Sequence, residues 1–209
     1  VTVEELSVDP RTKKGQQTRE RIVETAAALM LENGVAGTTV EDVCEAARVG
    51  KSQIYHYFAD KSALTRGVIE FQTDRVLGHQ QSLFSPMTSW EDWDIWREQI
   101  VEMQRRLGCI GGCPIGSLAS ELADADALAC EVLNKSFDRW ENIFRVGIEQ
   151  MKYASILVPE ADPMTLATFI LGALQGGLLL CQTRKDVAPL QVSLDGALAH
   201  LRSYARTVD

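Results

Sequence analysis

Histidine is scarce in this chain. It occurs at positions 56, 79 and 200 only, and no two of these stand four residues apart, which excludes the paired-histidine helix of a zinc enzyme. A Gly-x-Ser-x-Gly elbow is absent, and so is a phosphate-cradling loop of the nucleotide-binding kind. The glycine-rich stretch Gly108–Gly116 carries no lysine. No catalysis, cofactor or metal is therefore expected, and a helical enzyme is the remote alternative. Aromatic residues make up 7% of the chain, and no Val/Ile/Thr alternation recurs at strand spacing, which sets aside a sandwich or barrel. The five cysteines (44, 109, 113, 130 and 181) form no even framework, and no signal-peptide pattern opens the sequence. Reduced thiols in a cytoplasmic protein are the expectation. The longest apolar run, Leu166–Cys181, is short for a bilayer and is interrupted by Gln175 and three glycines, so it reads as a helix buried in protein, with no membrane partner.

Charge is present but unevenly distributed. The net charge of −8 by itself argues against a polyanionic partner. Residues 11–66, however, hold nine Lys/Arg against seven Asp/Glu, whereas 67–209 hold twelve against nineteen. Five of the bases (Arg11, Lys13, Lys14, Arg19, Arg21) fall within eleven residues. A basic head on an acidic body is the distribution of a DNA-binding module joined to a domain with another task.

The apolar spacing is helical throughout. Residues 1–16 lack periodicity and are read as a mobile basic arm. A first helix is expected over Gln17–Glu32, with Ile22, Ala26, Leu29 and Met30 inward and Asn33-Gly34 as its stop. Thr39 followed by Asp42 resembles a capping box and opens a second helix, Val40–Ala47. The turn Arg48-Val49-Gly50 leads to a third helix, Lys51–Phe58, with Ile54 and Phe58 facing inward together. Two short helices across a glycine-containing turn make a helix-turn-helix. A long fourth helix runs from Lys61 to about Leu83, and Ser85-Pro86 ends it. Further on, Trp93, Trp96, Ile100, Met103 and Leu107 form one stripe, and Leu133, Phe137, Trp140, Phe144, Ile148 and Met151 another. Leu166–Cys181 is apolar nearly all round, and Leu190–Tyr204 is a final amphipathic helix. The fold class is thus all-α, about nine helices, divided into a head (1–66) and a body (67–209).

The string TRERIVETAAALMLENGVAGTTVEDVCEAARVGKSQIYHYFADKSAL resembles the DNA-binding head of the TetR (tetracycline-repressor) family. Its Tyr55-His-Tyr-Phe58, Asp60-Lys61 and Leu64 carry most of the likeness. The resemblance implies a regulator, usually a repressor, that binds a palindromic double-stranded operator as a homodimer and responds to a small-molecule effector. With Ile54 and Phe58 in the core, Lys51, Ser52, Gln53, Tyr55, His56 and Tyr57 are left for DNA. Gln53 suits adenine and Lys51 suits guanine or phosphate, while Thr39 and Lys61, each at a helix start, suit phosphates. The arm would enter the neighbouring minor groove.

The resemblance also implies an effector cavity in the body and dimerisation through its last two helices, here Leu166–Cys181 and Leu190–Tyr204. Small residues at 172, 173, 176 and 177 permit close helix approach, and Gln175 would meet its twin across a two-fold axis. Trp96, Met103, Phe137, Trp140, Phe144 and Leu178 are the candidate lining of a hydrophobic pocket, with Glu121 or Asp124 available to a cationic ligand. The alternative mode of control is thiol chemistry. Cys113 directly precedes Pro114, at a helix start that favours thiolate, and Cys109 would be its resolving partner in a redox- or electrophile-sensing regulator.

Overall fold

In a computed structural model the chain is described over residues 12–83 and 87–206. Residues 1–11, the greater part of the expected arm, lie outside the described residues, as does the Ser85-Pro86 break. Among the described residues there are nine α-helices and no strand beyond one isolated bridge, Leu157 to Ala205.

The first helix, α1 (Lys13–Gly37), begins four residues before the expected Gln17. The cause is local. The Thr12 hydroxyl accepts from Gly15 N–H at 3.1 Å, so the residues read as arm are an N-terminal cap and first turn. The expected stop at Asn33-Gly34 is a break inside the helix: Gly34 takes φ 76° and ψ 164°, and one more turn follows it. That backbone region is open to glycine alone. Gly34→Ala is therefore expected to destabilise the fold by about 1–3 kcal/mol, read as a lowered urea midpoint at unchanged slope.

Helices α2 (Val40–Ala47) and α3 (Lys51–Tyr57) follow as the sequence pattern requires. Thr39 and Asp42 form the reciprocal capping box, and Arg48 turns the chain in the left-handed conformation at φ 53°. Beyond them come α4 (Lys61–Leu83), α5 (Trp90–Arg106), α6 (Pro114–Leu122), α7 (Ala127–Tyr153), α8 (Pro163–Arg184) and α9 (Ala188–Arg202).

These helices form two compact units, each discontinuous in sequence. The first joins the residues up to Val76 with Pro114–Ser136, and the second joins Leu77–Cys113 with Phe137–Asp209. They are packing units, and the division expected from sequence at residue 66 is of another kind. In the first unit Ile22, Ala26, Met30, Val43, Ile54, Phe58, Leu64, Ile69 and Ile115 are buried, and α6 packs on α1. In the second, Trp93, Trp96, Trp140, Phe144, Ile148 and Met151 form an aromatic-rich core, and α8 packs along α9. At 22 residues α8 exceeds the run read from sequence and is long and apolar enough to cross a membrane by length and composition. One side of it is nevertheless committed to protein: a Cβ at Gly177 would lie 3.1 Å from the Leu190 Cα of α9.

Candidate nucleic-acid interface

The second helix of the α2–α3 pair presents a polar face because its apolar residues are all spent on the core. Ile54 and Phe58 are buried, and Lys51, Ser52, Gln53, Tyr55 and His56 are exposed, Tyr55 at 48%. Tyr57 departs from the expected DNA face. It is 8% exposed, because it stands three residues after Ile54 and so shares the inward side of the helix. Its ring meets His56 edge-on at 4.9 Å.

The exposed residues hold one another in defined states. Lys51 pairs with Glu41 of α2. That hydrogen bond raises the lysine above its ordinary value and holds the Glu41 carboxyl below the usual carboxylate range. Both side chains are more than half exposed, so the pair orients Lys51 without stabilising the fold much. Gln53 Oε1 accepts from Gly50 N–H at 3.1 Å. This leaves Gln53 both amide hydrogens and one oxygen lone pair for a partner. The Thr39 hydroxyl donates to Asp42 Oδ2 at 2.6 Å and accepts from Asp42 N–H at 3.1 Å. Its capacity is used within the cap, and the free N–H groups at the start of α2 remain for an anion. Lys61 is half-buried at the first residue of α4, where Asp60 Oδ1 accepts from Ala63 N–H at 2.7 Å. Arg19 lies over the Phe58 ring at 5.2 Å, a cation–π contact that ties the basic segment to the end of α3.

Two carboxylates that the sequence reading did not place here anchor this unit. Glu121, at the end of α6, accepts from Val35 N–H at 2.8 Å, just past the Gly34 break. It is thus engaged within the first unit rather than waiting for a cationic ligand. Asp126 accepts from Ser62 of α4, and Arg66 donates to Ser62 Oγ at 2.7 Å. The Ser62 hydrogen bond, with the nearby Arg66 charge, holds the Asp126 carboxyl below its usual range. A local spacing rule has no access to these contacts, since the partners are 86 and 64 residues apart.

In the second unit the expected pocket residues are core. Trp96, Trp140 and Phe144 are buried to 1% or less and Leu178 to 5%, while Met103 and Phe137 are half-buried. Trp96 meets Trp93 at 5.9 Å and Phe144 at 5.2 Å. A water-sized cavity of about 10 Å³ lies in the first unit, bounded by Met30, Val68, Gln72, Leu118 and Glu121. None of the six expected residues lines it. None of the five cysteines is in a disulfide, and two of them have neighbours on α8. Cys109 adjoins Cys181, whose thiol is pushed up to about 12 by burial and by that contact. Cys113 is buried and accepts from Gln175 Nε2 at 3.5 Å. Gln175 therefore has a partner within its own chain, where a twin across a two-fold axis was expected.

This architecture has close counterparts among known proteins. Residues 22–68 match the family model described as bacterial regulatory proteins, tetR family. Residues 93–194 match that of the transcriptional regulator LmrA/YxaF-like C-terminal domain. The HTH-type transcriptional regulator YxaF of Bacillus subtilis is 28% identical over 182 residues, which cover 86% of this chain and 92% of YxaF. The HTH-type transcriptional repressor DhaR of a Mycobacterium species is 26% identical over 178 residues, covering 82% of this chain and 86% of DhaR. In fold, the crystal structure of a TetR transcriptional regulator from Chloroflexus aurantiacus superposes with a TM-score of 0.80 at 24% identity, covering 94% of this chain and all of the other. A helix-turn-helix with a polar outer face, joined to a body matched by its own family model, leaves one assignment: the chain belongs to the TetR family of DNA-binding transcriptional regulators.

Proposed function

We propose that the protein is a dimeric, effector-responsive repressor that reads a palindromic operator with α3. The observation that carries this reading is the outer face of α3, where Lys51, Ser52, Gln53, Tyr55 and His56 are exposed together above a buried Ile54–Tyr57–Phe58 floor. Rigid support beneath and hydrogen-bonding groups above are what base readout in a major groove requires. Lys61 and the free N–H groups at the start of α2, a helix that Thr39 caps, flank that face as phosphate contacts. Residues 1–66 are the DNA-binding part and 67–209 the effector-binding and dimerising part, in a cytoplasmic protein.

Repression is the favoured sign because DhaR, similar over most of its length, is named a repressor. Dimerisation through α8 and α9 is favoured by the apolar surface these helices leave uncovered: Phe169, Leu179, Leu180 and Val192 are 41–72% exposed. In a monomer this would be an aggregation liability, and in a two-fold pair it is an interface. The effector belongs in the body around α5 and α7. Its binding must favour one disposition of the reading helices by a few kcal/mol to act as a switch. Glu121 on Val35 and Asp126 on Ser62 are the contacts through which α6 and the turn after it would act on α1 and α4.

The test is binding of the full chain to DNA from upstream of its own gene and to scrambled DNA, each at two salt concentrations. Preference for the native sequence, with an affinity that falls steeply as salt rises, is the expected result. Equal affinity for both DNAs across a range of candidate upstream fragments would remove the operator reading.

A further inference from the structure

The glycine-rich loop between α5 and α6 is held along one edge of α8. Lys185 Nζ donates to the Cys109 carbonyl at 3.5 Å, and Gln175 Nε2 donates to Cys113 Sγ at 3.5 Å. Gly112 lies so close to Gln182 that a Cβ there would meet its Oε1 at 2.3 Å. Cys181, one turn before Lys185, is in side-chain hydrogen-bond contact with Cys109. All of these residues belong to the second unit. A single buried cysteine is a small apolar filler. Two whose sulfurs touch are a two-electron reductant one bond short of a disulfide.

The loop is built to let that bond close. Gly108, Cys109, Gly111 and Gly112 all take positive φ, from 55° to 88°, so no regular helical ladder has to break when the sulfurs draw in to the roughly 2.05 Å of a disulfide. Cys109 does so as a residue with a Cβ, for which that backbone region is disfavoured. The two thiols also differ in what surrounds them. Cys181 is fully buried on α8 and keeps its proton through that burial and the contact with Cys109, while the Lys185 charge acts the other way. Cys109 is 4% exposed on the loop, and a slight opening of the loop bares it while Cys181 stays in place. Cys113 is the rival partner for Cys109. Its sulfur accepts from Gln175, six residues before Cys181 and so about 9 Å back along the axis of α8.

We infer that Cys109 and Cys181 form a reversible intramolecular disulfide on exposure to a hydroperoxide, with Cys109 oxidised first and Cys181 as the resolving thiol. The Cys109 thiolate attacks the terminal oxygen of the hydroperoxide. The O–O bond breaks, the leaving alkoxide takes a proton and departs as an alcohol, and Cys109 is left as a sulfenic acid. Cys181 then gives up its proton and attacks the sulfenic sulfur, whose S–O bond breaks as water leaves. Two thiols lose two hydrogens and two electrons, and the hydroperoxide is reduced to an alcohol and water. The oxidant is small and neutral because the site has so little exposure, which bars a bulky disulfide. Neither thiol is on the DNA-reading face, so the disulfide stands or falls apart from the operator.

The test uses the full-length reduced protein, treated with hydrogen peroxide at a dose that converts the exposed Met164 to its sulfoxide. After quenching with catalase it is unfolded in N-ethylmaleimide, digested without reductant and mapped by mass spectrometry. Alkylated thiols are expected to fall by two from five. The lost pair should reappear as a peptide joining Cys109 to Cys181, two hydrogens lighter than its parts, which dithiothreitol removes. Cys113→Ser should form the same link in the same yield. Cys181→Ala should stop the reaction at a Cys109 sulfenic acid that dimedone traps, and Cys109→Ser should leave Cys181 reduced. A thermal melt checks each variant, and the map of the native chain decides by itself if one fails to fold. Five thiols still alkylated beside oxidised Met164 overturn the inference. So does a link from Cys109 to Cys113, a link between two chains, or over-oxidation of either thiol without a link.

Discussion

Replacing Gln53 and Tyr55 together with alanine should weaken operator binding by about a hundredfold or more, because each contact to a base edge is worth about 1–3 kcal/mol of discrimination. The loss should be in specificity. Binding to scrambled DNA, carried by lysines, arginines and helix N-termini, should fall far less, and its salt dependence should persist. Both side chains are exposed, so the fold should lose little. The one local cost is the Gly50 N–H, which Gln53 Oε1 caps, and a thermal melt of the single Gln53→Ala variant measures it. Gel-shift titrations of native and double-variant protein on both DNAs decide the matter. A double variant that keeps its full preference for the operator would move sequence reading away from α3, and the basic residues around the start of α1 would be examined next.

An effect as large is expected from a change outside the reading helix, Leu179→Glu combined with Leu180→Glu. These leucines are 63% and 41% exposed on α8, so an isolated chain has no reason to unfold when they change. In a two-fold interface each would be buried, at roughly 1.5–3 kcal/mol per side chain, and four carboxylates would be forced together. The variant should be monomeric by light scattering at concentrations where the native chain is a dimer. A palindrome bound by two linked heads gains about a hundredfold or more over one head through effective concentration, and the variant should lose that margin with its α3 untouched. A dimer that survives both charges would exclude α8 as the interface.

The head was legible because its determinants are local. Thr39 and Asp42 cap one helix, Gly50 opens the next, and Ile54 and Phe58 differ by one helical turn, so residue types at short spacing fix the geometry. Tyr57 was misplaced because a three-residue spacing to Ile54 competes with the chemistry of a hydroxyl, and the core took the ring. The start of α1 was misjudged because Gly15 looked like a breaker when its N–H is the group that Thr12 caps. What spacing could not reveal is which distant segments meet. The return of Glu121 to Val35, the pairing of Gln175 with Cys113 and the adjacency of Cys109 to Cys181 all depend on tertiary packing. The aromatic stripes of α5 and α7 were correctly read as apolar faces except at Leu107, which is 51% exposed beyond the end of α5.

The discontinuity of the first unit bears on how this regulator can be recombined with others. A chimera cut at residue 66, joining this head to a foreign sensor, would leave Val35 N–H and Ser62 without the carboxylates that meet them from 121 and 126, and would uncover Met30 where Leu118 now lines the same small cavity. A workable graft must carry the segment 114–136 with the head and accept foreign sequence only at the borders of 77–113 and after 136. Interchangeable heads are thus constrained here by a short helical insert that belongs, in packing terms, to the part being moved.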